Sequence, residues 1–186
     1  MKVQKTMLKV LSLITCLSLL FSSCKKKNEP NPMVDSFLPM QVGNYWGTTN
    51  RQNNYTEIQE KVQISGKTYY KFYSLIGGDA IAVSYLRIDE QNRLVESYPK
   101  DPSRIYVRAD FNAKVGDVFF TLNDQTVNDY KVVVANKTEN AMSFNFDMIY
   151  HPNLKGQIRT DTYIKGRGWN VNFEKIIING RVVKGK

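Results

Sequence analysis

Met142-Ser143-Phe144-Asn145-Phe146-Asp147-Met148-Ile149-Tyr150 is the stretch whose reading decides the fold class. Its large apolar residues fall at every second position, so Met142, Phe144, Phe146, Met148 and Tyr150 share one face of an extended chain. Ser143, Asn145 and Asp147 share the other. A period of two puts successive side chains on opposite faces of a strand, and a helix would scatter these residues around its axis. The segment reads as a half-buried strand with Met142, Phe144, Phe146 and Met148 turned inward.

The same signature extends to both sides. Toward the C-terminus, Ile158 to Lys165 and Trp169 to Phe173 read as strands. Lys175 to Ile178 and Arg181 to Lys184 then form a hairpin around Asn179-Gly180, the pair that a type I′ turn favours because both central residues need positive φ. Toward the N-terminus, Tyr130 to Ala135, Val118 to Leu122, Arg104 to Phe111 and Arg93 to Tyr98 are short runs rich in β-branched and aromatic residues. Ala80 to Asp89 pairs with Arg93 to Tyr98 across Glu90-Gln91-Asn92, while Pro99 and Pro102 interrupt the pattern. Thr68 to Leu75, Tyr55 to Ile64 and Gly43 to Thr49 complete the series, and no segment reads as a helix. Ten or so short strands predict an all-β fold: a single antiparallel domain with a strongly curved, barrel-like sheet, or alternatively a two-sheet β-sandwich.

Upstream of Phe37 the composition changes. Residues 1–9 carry Lys2, Lys5 and Lys9 and no acid, and residues 10–21 are a mostly apolar run of about twelve, short of the roughly 20 residues that a membrane helix needs. Ser22-Ser23-Cys24 follows. That order of charge, apolar run and small residues is a secretory leader. Leu20-Phe21-Ser22-Ser23-Cys24 resembles a bacterial lipoprotein signal, and the resemblance implies cleavage before Cys24 and attachment of lipid to its thiol. The residues alone also fit an ordinary secretory leader with an incidental cysteine. The expected organisation is a cleaved leader over 1–23, a lipidated Cys24 with an extended tether over 24–36, where Pro30 and Pro32 disfavour helix, and an all-β domain over 37–186.

Charge and cysteine usage then exclude several classes of function. The formal charge is +9, but the leader holds three lysines and no acid, which leaves 23 basic against 17 acidic residues, or +6, in residues 24–186. Lys25-Lys26-Lys27 supplies three of those six, beside an expected anionic membrane surface where each adds about 1 kcal/mol of attraction. Nucleic acid is not an expected partner. Of the two cysteines, the lipoprotein resemblance implies that Cys16 would leave with the leader and that Cys24 would carry lipid. The domain then has no disulfide, no cysteine-ligated metal and no thiol nucleophile.

A second resemblance rests on Phe37-Leu38-Pro39-Met40-Gln41-Val42-Gly43-Asn44-Tyr45-Trp46, Gly66-Lys67-Thr68-Tyr69-Tyr70, Leu86-Arg87-Ile88-Asp89, Lys114-Val115-Gly116-Asp117 and Tyr163-Ile164-Lys165-Gly166-Arg167-Gly168-Trp169. In that order they are similar to an uncharacterised group of secreted and lipid-anchored proteins of Bacteroidota. The resemblance implies a shared all-β domain and no particular reaction. In that phylum acidic residues after the lipidated cysteine resemble a surface-export signal, so Lys25-Lys26-Lys27 favours an outer-membrane anchor facing the periplasm.

No catalytic constellation emerges from the residue types. His151 is the only histidine, and with Pro152-Asn153 after it the simplest place for it is a turn. Asp110, Asp117 and Asp161 are the carboxylates nearest the marker motifs; a pair of carboxylates about 5 to 9.5 Å apart would serve glycoside hydrolysis. Turn capping is the plainer reading of Asp117, and a cross-strand ion pair of Asp161. Tyr69, Tyr70 and Tyr73 occupy both faces of one strand, which leaves at least one ring near the surface, by edge-strand packing or as a sugar-stacking face. Phe144 and Phe146 are core, or the lining of a ligand cavity. The sequence therefore supports no catalytic residue, no metal ligand, no cofactor and no named ligand-binding residue. What it predicts is a lipid-anchored envelope domain, attached to the membrane through Cys24, that serves without catalysis as a binding or structural domain for a partner protein, glycan or apolar ligand. The alternative is a carboxylate-based glycan hydrolase.

Overall fold

Alternation along β9 (Ala141–Asp147) is realised as the sequence predicts: Met142, Phe144 and Phe146 are each no more than 1 % exposed, and the residues between them are half-buried. The strand ends earlier than expected. A turn closed by the His151 amide on the Met148 carbonyl (2.8 Å) follows, and Asp147 accepts a hydrogen bond from the Gly156 amide (2.7 Å), so Met148 and Tyr150 leave the ladder. The structure is a computed structural model that describes residues 35–48, 54–170 and 172–185. The leader, Cys24 and nearly all of the tether lie outside the described residues.

The described residues form an all-β domain without helices, in which two antiparallel sheets stack as a sandwich. The chain first lays down a meander of β1 (Tyr45–Gly47), β2 (Tyr55–Ile64), β3 (Lys67–Ile76), β4 (Ala80–Ile88), β5 (Arg93–Tyr98) and β6 (Asp101–Asp110). It then crosses to a second sheet of β7 (Val118–Phe120), β8 (Lys131–Lys137), β9, β10 (Arg159–Ile164) and β11 (Gly168–Trp169). Finally β12 (Lys175–Ile178) and β13 (Arg181–Lys184) return to the first sheet, where β12 pairs with β1. Asn44, fully buried, locks this return: its Nδ2 donates to the Pro39 carbonyl (2.9 Å) and its Oδ1 accepts from the Asn179 amide (2.8 Å). Asn179 and Gly180 have φ of 52° and 74°, the backbone that the hairpin reading requires.

Of the two arrangements open from sequence, the sandwich is the one present, and the sheets do not close into a barrel. No strand pairing joins β6 to β7 among the described residues; a backbone hydrogen bond from the Val107 amide to the Thr121 carbonyl (2.8 Å) and the Arg104–Asp124 ion pair (3.5 Å) bridge that side. The opposite edge of the second sheet is the two-residue β11. Pro102, expected as an interruption, lies within β6, the edge strand, where its missing amide costs the ladder little.

The main core is the seam between the sheets. Trp46, Ile58, Phe72, Leu86 and Leu94 meet Val132, Val134, Met142, Phe144, Phe146 and Tyr163 across it. Trp169 stands edge-on to Trp46 and Phe72, at 5.3 and 5.4 Å between ring centres, and the Trp46 indole donates to the Arg167 carbonyl (2.7 Å). Gly168 makes that approach possible. Its φ is +88°, and a Cβ there would stand 3.0 Å from both Leu38 Cδ1 and Trp46 Nε1.

Candidate functional site: a cleft and a groove meeting at one strand

Arg93-Leu94-Val95-Glu96-Ser97-Tyr98 places an acidic residue in the buried middle of a strand, between Val95 and Ser97. Alternation turns Leu94 and Glu96 toward the second sheet and Val95 away from it, where Val95 joins Ile64 and Tyr69 in a small cluster on the outer face. Glu96 is 5 % exposed, and a buried carboxylate needs partners. Register slips on both sides of it provide them. Val95 pairs with Val107 and Leu94 with Ala109, so Arg108 is the extra residue of a bulge, and its guanidinium donates to Glu96 Oε2 through Nε and Nη2, both at 2.5 Å. The Tyr98 hydroxyl donates to Glu96 Oε1. Burial first, and the hydrogen bond to Glu96 second, push the Tyr98 hydroxyl pKa well above its ordinary value, so it remains a donor.

On the inner side Glu96 lines a cleft of about 260 Å³ whose walls come from both sheets. Arg159, Asp161 and Tyr163 alternate along β10 and share the face that looks into it. Arg159 donates to Asp161 Oδ2 (3.1 Å), while its guanidinium lies 4.7 Å from the Phe146 ring centre and 5.6 Å from that of Tyr130. Arg108 is held similarly against Tyr106, at 4.8 Å. Both guanidinium planes are thus positioned by aromatic rings and use only part of their donor sets. Tyr163, fully buried, has its hydroxyl pKa raised by burial first and by the Asp161 charge second.

On the outer side, Tyr98 turns its ring edge-on to Tyr85 (6.1 Å). Those two rings, with Val83 and Pro99, line a groove of about 570 Å³ whose rim carries Lys71 and Lys100. Lys71 is committed to Glu60 (3.0 Å), and that hydrogen bond raises its pKa. Lys100 is exposed and makes no ion pair among the described residues. Strand β5 therefore separates a polar, charge-balanced cleft from an apolar, cation-rimmed groove, and the Tyr98–Glu96 hydrogen bond joins the two.

The sequence candidates are dispersed. His151 sits in a turn, where its Nδ1 accepts from the Asn153 amide (3.1 Å). Asp110 caps the end of β6 through the Asn112 amide (2.9 Å), and Asp117 caps its loop through the Lys114 amide (2.7 Å). Only Asp161 reaches a cleft, and its ion pair runs along β10 to Arg159, two residues away, instead of across strands as expected. The reason is that its cross-strand partner is Phe144. Tyr69, Tyr70 and Tyr73 lie on an interior strand of the sheet, not on an edge. Tyr69 is buried on the outer face, and Tyr70 and Tyr73 are half-buried.

Glu96, Arg108, Arg159, Tyr85 and Tyr98 were not singled out by sequence reasoning. The signal for the first two was there: a lone acid two residues after Leu94 in a short strand, and an arginine on the next strand of the hairpin. Among the described residues no group of three or more histidine, cysteine or acidic side chains gathers as a metal site. No family model, curated protein or solved structure matches the chain.

Proposed function

We propose that this chain is a non-enzymatic binding domain of the cell envelope, held at the periplasmic face of the outer membrane by lipid on Cys24, and that its outer groove takes an apolar ligand with an anionic end. The observation that carries the reading is the groove walled by Val83, Tyr85, Tyr98 and Pro99, with Lys100, which makes no ion pair among the described residues, at its rim. Apolar walls with a few polar groups at one end are how ligand sites combine affinity with orientation. The lysine favours a negative head group, and its contribution weakens as salt rises.

The hydrolase alternative has one observation on its side, since Glu96 and Asp161 line the same cleft. Against it, both oxygens of Glu96 are already taken, one by Tyr98 and the other by Arg108. A two-carboxylate mechanism needs one group to give a proton and the other to attack or to activate water. Glu96 has neither oxygen free for those roles.

Two experiments test the proposal. Decanoate titrated into the detergent-free Cys24→Ala chain should bind saturably, and Tyr85→Ala should weaken it at least tenfold; binding unchanged by Tyr85→Ala removes the groove from the account. In fractionated cells, wild-type protein should stay with membranes in high salt and the Cys24→Ala form should not, because salt screens lysines but leaves buried acyl chains in place. Equal retention of both forms would exclude Cys24 as the anchor.

A further inference from the structure

The inner cleft carries a separate inference, independent of the outer groove and of what that groove binds. Its charged groups are two arginines and two carboxylates, so its formal charge is zero. The atoms left over after internal pairing are of both kinds: unspent guanidinium N–H groups on Arg108 and Arg159, the second oxygen of Asp161, and the Ser84 hydroxyl. A hydroxyl satisfies such a mixture with a single group, because it donates to a carboxylate while accepting from a guanidinium. An anion would find donors but would be repelled by Asp161 and Glu96, and a cation would meet the reverse.

The walls narrow the class further. Trp169 and Tyr163 give the cleft aromatic surface beside its polar atoms, which suits a ligand with hydroxyl edges and a C–H face. A volume of about 260 Å³ is below the roughly 300–1,000 Å³ typical of sites for drug-sized molecules, so one ring fits and an oligomer does not. The guanidinium planes are stacked on Tyr106, Tyr130 and Phe146 before any ligand arrives, which lowers the ordering cost of binding. We propose that the cleft between the sheets is a binding subsite for a single neutral sugar residue, with Asp161 accepting from its hydroxyls and Arg108 and Arg159 donating to them.

The test uses the full-length protein in a sugar-free detergent, titrated with methyl glycosides of glucose, galactose, mannose and N-acetylglucosamine. Binding is read by saturation-transfer NMR and by tryptophan fluorescence, since Trp169 lines the cleft. At least one neutral glycoside should bind saturably in the millimolar range. Asp161→Asn should weaken it at least tenfold without moving the melting midpoint, because the pair it breaks is with a half-exposed arginine. Ser84→Ala should weaken it less. Failure of every neutral glycoside to bind, equal binding by Asp161→Asn, or tighter binding of glucuronate or inorganic phosphate than of any neutral glycoside would each overturn the proposal. Loss of decanoate binding in the outer groove bears on none of these outcomes.

Discussion

The inner and outer faces of the eight-stranded sheet are built from the same residue types and behave differently. On the inner face, Trp46 and Phe72 pack against a second sheet and its aromatics, and water is excluded by a layer from elsewhere in the chain. On the outer face no second sheet covers the rings among the described residues. Tyr45, Tyr55 and Tyr73 stack in a row across β1, β2 and β3, with centres 5.7 and 6.1 Å apart, and Tyr69 is capped by the Arg87 guanidinium at 5.5 Å. The inner face gains stability from burial, which scales with apolar area removed from water. The outer face shelters its rings with neighbours and cations: Tyr45 and Tyr69 are buried there, and Tyr55 and Tyr73 stay half-buried. Recesses remain on both faces: the groove beside Tyr85 and Tyr98 on the outside, and the cleft beside Glu96 and Asp161 between the sheets.

The inner face should be the more fragile. Phe146, 1 % exposed, sits at the centre of the seam, and Phe146→Ala should cost about 3–5 kcal/mol in chemical denaturation. A loss below about 1 kcal/mol would mean that the seam relaxes around the hole and resembles the outer face after all. Next comes the more buried of the two ion pairs described in the inner cleft, Glu96 with Arg108. Glu96→Leu leaves Arg108 without its carboxylate and should cost about 1–3 kcal/mol, whereas the double variant Glu96→Leu/Arg108→Met should recover most of that loss. Equal losses in the single and double variants would show that the pair is not coupled.

On the outer face Tyr73→Ala removes one member of the stacked row and should cost only about 1 kcal/mol, since the ring is half-exposed already. The smallest effect concerns Glu90, which is exposed and accepts from Lys67 (3.0 Å) and Arg87 (3.3 Å), the same arginine that caps Tyr69. Its own backbone amide first, then those two side chains, hold its carboxyl down at about 2 against an ordinary 4.5. Because the folded-state value is the lower one, any stability it confers is fully present above pH 4.5 and disappears as pH falls through about 2. Melting curves of Glu90→Gln should therefore match those of wild type at pH 2 and fall slightly below them at pH 5; the opposite order would reverse the sign of the linkage.

Legibility followed range along the chain. Alternation over Met142 to Phe146 and the Asn179-Gly180 turn were readable because side-chain period and φ preference are local properties. Asp117 and His151 were readable as turn residues for the same reason, since their hydrogen bonds span two or three residues. The extent of β9 was read too long, because the bond that helps end it reaches from Asp147 to Gly156. The two recessed sites were harder still. Asp161 was weighed as a carboxylate, but its neighbours in the cleft, Glu96 and Arg108, lie more than fifty residues away in the sequence.

What the sequence by itself determined was the all-β class, most of the strands, and the hairpins closed by Asn-Gly and Glu-Gln-Asn turns. It predicted a membrane address at Cys24 as well. Only the tertiary structure decided that the strands divide into two sheets instead of closing a barrel, that a bulge aims Arg108 at Glu96, and that Tyr69 is buried on the face that the second sheet does not cover. The physical reason is that pattern and turn chemistry act within a few residues and fix the units. Which faces meet, and which polar atoms are left unspent in the gap between them, depends on packing between segments whose separation in sequence carries no signal of its own.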